Sequence, residues 1–307
     1  MARTLAITGG TGFVGGHTLE RALGRGWKVR ALARRPQAAR EGLLWVPGSL
    51  TDPTALDDLV AGADAVIHIA GVTNAASRAG FEEGNILGTA HVRRAAGGRP
   101  LVHVSSLSAR EPQLSTYGWS KLMGEQVARG AAGPVTVVRP PAVYGPGDRE
   151  FLELMRTARS GFIPMPKGSV AAMIHGADLA EALVALAEDA GGPARATGRI
   201  LEIDDGAGGY TPAQVADAIG SALGRRVRPV EVSAPTLRLA AMGDTAWARL
   251  KGELPRISRD RAAYMAHPDW SADSGALRSL GIWKPGITLS EGMAETARWY
   301  RAQGLLP

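Results

Sequence analysis

The sequence predicts an α/β fold: a doubly wound parallel sheet carrying a smaller C-terminal lobe. Three observations carry that prediction. Short aliphatic or β-branched runs alternate with longer helical patterns through the first half, as in a parallel sheet covered by helices. A glycine-rich turn joins the first such run to the first helical pattern. After Arg139 the alternation is broken by Pro140-Pro141, Gly145-Pro146-Gly147 and Pro164-Met165-Pro166, and a tryptophan-bearing, helical C-terminal third follows.

Taken in order, strands are expected at Thr4–Thr8, Lys28–Ala33, Leu43–Val46, Ala65–Ala70, Leu101–Ser105 and Val135–Arg139. Helices are expected at Phe13–Leu23, Pro53–Val60, Phe81–Ala96 and Thr116–Arg129. The spacing suits right-handed βαβ units. Residues 1–165 are assigned to the sheet domain, and 170–203 rejoin it through a helix near Ala177–Glu188. Residues 204–307 form the smaller α-rich lobe, with a helix at Pro212–Leu223, and Trp247, Trp270, Trp283 and Trp299 are expected to anchor its core.

Composition removes several classes. No run of about 18 apolar residues is present, so neither a membrane span nor a membrane partner is expected. Met1-Ala2-Arg3-Thr4 leads straight into a strand pattern, which speaks against a secretory leader. The absence of cysteine excludes disulfides and thiolate metal sites and makes the cytoplasm the default compartment. His17, His91 and Asp204-Asp205 form no metal-ligand pattern, so no metal is expected. The net charge of +6 comes from scattered arginines with only short pairs, Arg34-Arg35, Arg93-Arg94 and Arg225-Arg226. Without a basic stripe interleaved with aromatics, sites for anionic small molecules are expected and nucleic acid is not.

The first turn gives the first chemistry. Gly9, Gly12 and Gly15 stand three apart in Thr8-Gly9-Gly10-Thr11-Gly12-Phe13-Val14-Gly15, directly after a strand and opening a helix. Gly9 permits the tight turn, Gly12 lets backbone approach a pyrophosphate, and Gly15 allows close helix–strand packing, while the helix N-terminus offers N–H groups to phosphates. A nicotinamide dinucleotide on a Rossmann sheet is the expected ligand, with Thr11, Phe13 and Val14 also in its cradle. At the end of the second strand, Arg34-Arg35-Pro36 carries no acid to meet a ribose 2′-hydroxyl. Guanidinium groups there, Arg34 first and Arg35 second, suit a 2′-phosphate, so NADP(H) is expected in preference to NAD(H).

Tyr117 and Lys121 form a YxxxK, a spacing that places both on one helix face. A neighbouring ammonium and a positive nicotinamide ring are expected to draw the phenol pKa down from its usual value near 10. Ser105 and Ser106 end the fifth strand, at the sheet edge where ligands bind in open α/β folds, and Ser106 is placed to polarise the substrate oxygen.

With these motifs in order, the chain resembles an extended short-chain dehydrogenase/reductase of the NAD(P)-dependent epimerase/dehydratase superfamily. The resemblance covers most of the chain: Thr8–Gly15, the Asp64–Gly71 strand, Asn85 in EGNILGT, Ser105-Ser106, Tyr117/Lys121 and RPPAVYGPGD at Arg139–Asp148. It implies a Ser106–Tyr117–Lys121 hydride-transfer site in which Tyr117 and Lys121 also touch the cofactor, with Asn85 in support. It further implies that Ile69, Ala70, Gly71 and Ser105 line the cofactor and that the Pro140–Tyr144 loop, through Pro140 and Val143, meets the nicotinamide end. Where the family usually has an aspartate for the adenine, this chain has Ser49 before Leu50; a serine can still bond adenine, so Ser49 and Leu50 are expected at the cofactor, and Asp52 reads as a helix cap before Pro53. His175 stands where members often have His or Arg; it either touches ligand or fixes a loop with Asp178 as helix cap. Members often pair as homodimers through the helices around Phe81–Ala96 and Thr116–Arg129.

The leading expectation is an NADP(H)-dependent oxidoreductase acting on a carbonyl/alcohol pair of a small molecule, its substrate contacts in the C-terminal lobe. A sugar-nucleotide epimerase or dehydratase is the alternative; it would need a diphosphate grip from residues such as Arg225, Arg226 and Arg256. Leu107-Ser108-Ala109 lacks the acid pair that dehydratases place after the catalytic serine. A non-catalytic cofactor sensor is the third reading, and Ser106, Tyr117 and Lys121 speak against it.

Overall fold

The computed structural model describes residues 3–130, 133–253, 255 and 258–307. β1 (Thr4–Thr8) enters the glycine turn and α1 (Phe13–Gly24), followed by β2 (Lys28–Ala33) and β3 (Leu43–Pro47). α2 (Pro53–Val60) begins where its sequence signals say: the Asp52 carboxylate accepts the Ala55 N–H, and Pro53 is preset for the first turn. β4 (Ala65–His68) stops short of the expected Ala70, because at Ala70 the backbone comes against Gly9. The helix expected over Phe81–Ala96 starts earlier and is irregular: α3 (Arg78–Phe81) runs through a π-helical stretch, Glu82–Leu87, into α4 (Gly88–Ala96). Its glycines are wedged against other segments. A Cβ on Gly84 would stand 2.4 Å from Val72 Cγ2, and one on Gly88 2.8 Å from Leu50 Cδ1. β5 (Leu101–Val104), α5 (Thr116–Arg129) and β6 (Val135–Arg139) complete the half, with Ser115 capping α5 by accepting the Gly118 N–H.

Beyond β6 come β7 (Ala142–Tyr144), α6 (Glu150–Ala158), β8 (Phe162–Pro166), β9 (Val170–Ala171) and β10 (Met173–His175). The chain then returns through α7 (Gly176–Ala190) to β11 (Ile200–Glu202), the seventh strand of the main sheet. The order is β11-β6-β5-β4-β1-β2-β3, parallel throughout. Strand order reverses between β1 and β4, which opens the ligand crevice at the carboxyl ends of those strands. Both faces are covered, so inward residues are apolar on each. Leu5, Ile7, Val29 and Ile67 meet Leu19 of α1 and Leu179, Leu183 and Leu186 of α7. Ala6, Val66 and Val137 meet Leu56 and Leu59 of α2, Val92 of α4 and Ala128 of α5.

The remaining elements are α8 (Pro212–Leu223), β12 (Arg228–Val232), α9 (Ala234–Lys251), α10 (Arg259–Met265), β13 (Asp269–Trp270), α11 (Gly275–Ser279) and α12 (Leu289–Ala302). Capping boxes, Thr211 with Gln214 and Thr288 with Glu291, start α8 and α12. β12 pairs with β8 and β13 with β9. A second core joins Leu152 and Met155 of α6 and Ile163 of β8 to Val215 and Ile219 of α8 and Met293 of α12. By packing, then, the Glu150–Pro166 segment sits with the lobe, although the sequence assigned it to the sheet domain. A short amphipathic helix reads the same whichever core it faces. The tryptophans need correction too: Trp299 flanks the second core, but Trp283 is buried among the α1 and α7 side chains and Trp247 stands 60% exposed on α9.

Candidate active site

The glycine turn is built around two positions that admit no side chain. Gly9 has φ +78°, and a Cβ there would lie 2.6 Å from the Ala70 nitrogen; at Gly15 it would lie 1.9 Å from the Gly9 carbonyl oxygen. Gly12 N-caps α1 without any side-chain cap, and the space over it is bounded only by the Gly9 oxygen at 3.3 Å. Thr11, Phe13 and Val14 flank this cradle, and the first-turn N–H groups of α1 suit phosphate. Ile69 and Ala70 form its opposite wall, and at Gly71 a Cβ would meet Asn85 Oδ1 at 2.9 Å and Lys121 Nζ at 3.6 Å. The residues present therefore fit a dinucleotide.

Arg34 and Arg35 stand exposed just past β2 with no carboxylate partner among the described residues. Neighbouring cations are already engaged: Arg30 donates to the Asp58 and Leu59 carbonyls and Arg40 pairs with Glu20. Past the neighbouring strand β3 the Ser49 hydroxyl bonds Thr51 at 2.9 Å, Leu50 gives its carbonyl to His91, and Asp52 is committed to capping α2.

Lys121 is buried and donates from Nζ to the Val104 carbonyl at 2.8 Å. Burial lowers its pKa to about 8, while Glu125, one turn on, works to raise it. Ser106 accepts from the Ser108 N–H and hydroxyl at 3.2 and 2.9 Å, which leaves its own proton to donate. The Tyr117 phenol is pushed up to about 12, chiefly by burial; hydrogen bonding to Ser106 opposes this, and Tyr264 and Glu150 reinforce it. Desolvation dominates, and the ammonium is turned to the Val104 carbonyl.

Ser105, expected to line the cofactor, donates its hydroxyl inward to Glu125 at 2.5 Å, and Glu125 holds Arg139 in a two-pronged pair at 2.8 and 2.7 Å. Asn85 exchanges hydrogen bonds with the Val72 backbone in both directions and donates to Ser120, whose hydroxyl bonds the Tyr117 carbonyl. Its polar atoms are thus spent tying the loop after β4 to α5, so it positions the site. Pro140 is buried and gives its carbonyl to the Leu107 N–H; Val143 packs on the sheet core, and Tyr144 lies wholly within the second core. His175 is wholly buried and N-caps α7 through Nδ1, its ring edge-on to Tyr144 at 5.4 Å. Asp178 does not cap that helix; its carboxylate accepts the Gly286 and Ile287 N–H groups.

Sequence reasoning missed the contribution of α10. Asp260 accepts the Thr116 N–H at 2.5 Å and the Tyr117 N–H at 3.3 Å, a second cap on α5 supplied by the lobe. The Tyr264 ring lies 6.4 Å from that of Tyr117, with Phe81 at 6.2 Å on another side. No local spacing could reveal partners so distant in the chain. Asp260→Ala is expected to lower stability by about 1 kcal/mol, the usual worth of a cap, and to reduce kcat more than it raises KM. Thermal melts beside steady-state kinetics check this; an unchanged kcat would deny Asp260 any hold on Tyr117.

A dinucleotide cradle on β1, with a tyrosine and a lysine on the helix after β5, defines an NAD(P)-dependent enzyme of the extended short-chain dehydrogenase/reductase kind. The chain belongs to the NAD dependent epimerase/dehydratase family, whose model matches residues 5–198. It is 36% identical to the ceramide reductase of Caulobacter vibrioides over 99% of its own length and 96% of that protein. It is 30% identical to the 4-hydroxy-2-methyl-3-oxo-4-farnesyl-3,4-dihydroquinoline-1-oxide ketoreductase of Stigmatella aurantiaca, covering 76% of this chain and 84% of that one. Among solved structures, MoeE5 in complex with UDP-glucose and NAD shares the fold at a TM-score of 0.75 and 22% identity, over 98% of this chain and 99% of that one.

Proposed function

We propose that the chain is an NADP(H)-dependent reductase that converts a carbonyl on a long-chain, lipid-like substrate to an alcohol. What supports this is the placement of the buried Tyr117 phenol in hydrogen-bonding reach of Ser106, where burial favours its protonated form, since reduction needs a proton donor at the developing alkoxide. When bound, the nicotinamide supplies hydride to the carbonyl carbon. As the carbonyl electron pair moves to oxygen, Tyr117 delivers its proton there and Ser106 donates a hydrogen bond to the same oxygen. Lys121 stays charged at neutral pH and compensates the phenolate left behind. The names of the two relatives, a ceramide reductase and a farnesyl-bearing ketoreductase, support a reductive direction and an apolar substrate. Phe81 and Tyr264 beside Tyr117 suit such a chain.

Among the described residues no assembled diphosphate grip supports the sugar-nucleotide reading: Arg225 is engaged by the Arg159 carbonyl, Arg226 stands exposed, and Arg256 lies outside the described residues. Incubating the protein and NADPH with long-chain keto lipids and, separately, with UDP-sugars discriminates. Loss of reduced-ring absorbance with the lipids alone is expected; interconversion of the sugars without net oxidation overturns the proposal.

NADP preference rests on Arg34 and Arg35. Arg34→Ala is expected to weaken NADPH binding about 10- to 100-fold, the worth of one or two charge-assisted bonds, and to leave NADH binding unchanged. Fluorescence titration with both cofactors reads this directly, and equal wild-type affinities would refute the preference.

A further inference from the structure

Of the nine large apolar side chains standing exposed among the described residues, four lie on α9: Leu239, Met242, Trp247 and Leu250. Exposures of 69% at Leu239, 60% at Trp247 and 83% at Leu250 mean that most of the surface of these residues faces solvent. At about 100° per residue the four fall within one stripe of roughly 140°, with Gly243 and Ala246 filling it. The opposite stripe, Leu237, Ala241 and Ala248, is buried, with Leu237 and Ala241 against Ala262 and Ala266 of the α10 segment. Exposed cations border the free stripe, Arg238 on one flank and Lys251 on the other, where the Lys251 ammonium lies 5.1 Å from the Trp247 ring centroid. The one acidic residue of the helix, Asp244, falls on the buried side of the wheel, and the chain as a whole carries +6.

We propose that α9 docks on an anionic lipid surface, its Leu239–Leu250 stripe sunk at the boundary of headgroups and acyl chains. An apolar stripe with a tryptophan, bordered by cations on an 18-residue helix, is the pattern of a helix lying in the membrane interface. No helix among the described residues is long and apolar enough to cross a membrane, and lying on a bilayer requires no such length. Charge selects this occupant: headgroup phosphates neutralise Arg238 and Lys251, while a second copy on the same face would bring like charges together. Docking also has a place in the fold. α9 packs on α10, whose Tyr264 adjoins Tyr117, and Asn74 in the loop after β4 donates to the Pro255 carbonyl just beyond α9. The bilayer would then lie about one helix layer from the catalytic phenol.

Flotation of the full chain with NADPH tests this without turnover, so it stands apart from the substrate proposed above. Vesicles are phosphatidylcholine alone, or phosphatidylcholine with about a third phosphatidylglycerol to supply anionic charge. The protein is expected to float with the anionic vesicles and to be released by high salt. Combined Leu239→Ser, Trp247→Ser and Leu250→Ser should lower vesicle affinity roughly tenfold or more, with NADPH binding and melting temperature retained. Arg238→Glu with Lys251→Glu should abolish the preference for anionic vesicles. Failure of the wild type to float at low salt overturns the proposal, as does equal flotation of the serine variant. A wild-type dimer that the serine variant splits, with no vesicle binding by either, assigns the face to a second copy and also overturns it.

Discussion

Tyr117→Phe is expected to lower carbonyl reduction about 10³-fold, within the range that a positioned proton donor contributes, while NADPH binding stays as in the wild type. The substitution removes the one hydroxyl that delivers the proton and leaves the ring between Phe81 and Tyr264. Wild-type rates should hold level through neutral pH and decline as pH rises through about 8, where Lys121 gives up its proton. Loss of that ammonium removes the charge compensating a nascent phenolate, so the sign is a fall. A second fall belongs near pH 12, where Tyr117 itself ionises and no longer has a proton to give. In Tyr117→Phe both inflections should vanish from whatever rate remains. A variant with a tenth or more of wild-type turnover, roughly 1.4 kcal/mol of barrier, would remove Tyr117 from the chemistry.

Glu125→Ala should be the most damaging change to stability in the site region, about 3–5 kcal/mol. Glu125 is 1% exposed, grips Arg139 with both oxygens and accepts from Ser105. Truncation strands a largely buried guanidinium and a buried hydroxyl together, at the carboxyl ends of β5 and β6. At roughly 1.5 °C per kcal/mol for a chain of this size, the melting temperature should drop by about 5 °C or more. Glu125→Leu combined with Arg139→Met should recover much of the loss, because an apolar pair of similar volume needs no partner. A single variant melting within a degree of wild type would show that water reaches Arg139 and stabilises it.

How much of this was legible depends on the distance over which each determinant acts. The Asp52-Pro53 start of α2, the capping boxes of α8 and α12 and the glycine turn are local, and each was readable because the residues that meet in space lie within a turn of one another. Tyr117 and Lys121 were readable for the same reason. The π-helical stretch was not, since it arises where Gly84 and Gly88 press on Val72 and Leu50 from other segments. Nor was the inward turn of Ser105, which depends on Glu125 and Arg139 arriving from a helix and a neighbouring strand.

The sequence by itself determined the doubly wound sheet and the glycine turn after its first strand, and it put Tyr117 and Lys121 on one helix face, because periodicity and short spacings encode them. Only the tertiary structure decided that burial holds the Tyr117 phenol above its ordinary value, since burial is a sum over all the segments packed around it. It alone placed Asp260 on the N-terminus of α5 and the Glu150–Pro166 segment in the second core. It alone left α9 with an apolar face toward solvent: four side chains spread over twelve residues make no apolar run, yet the helix gathers them on one side.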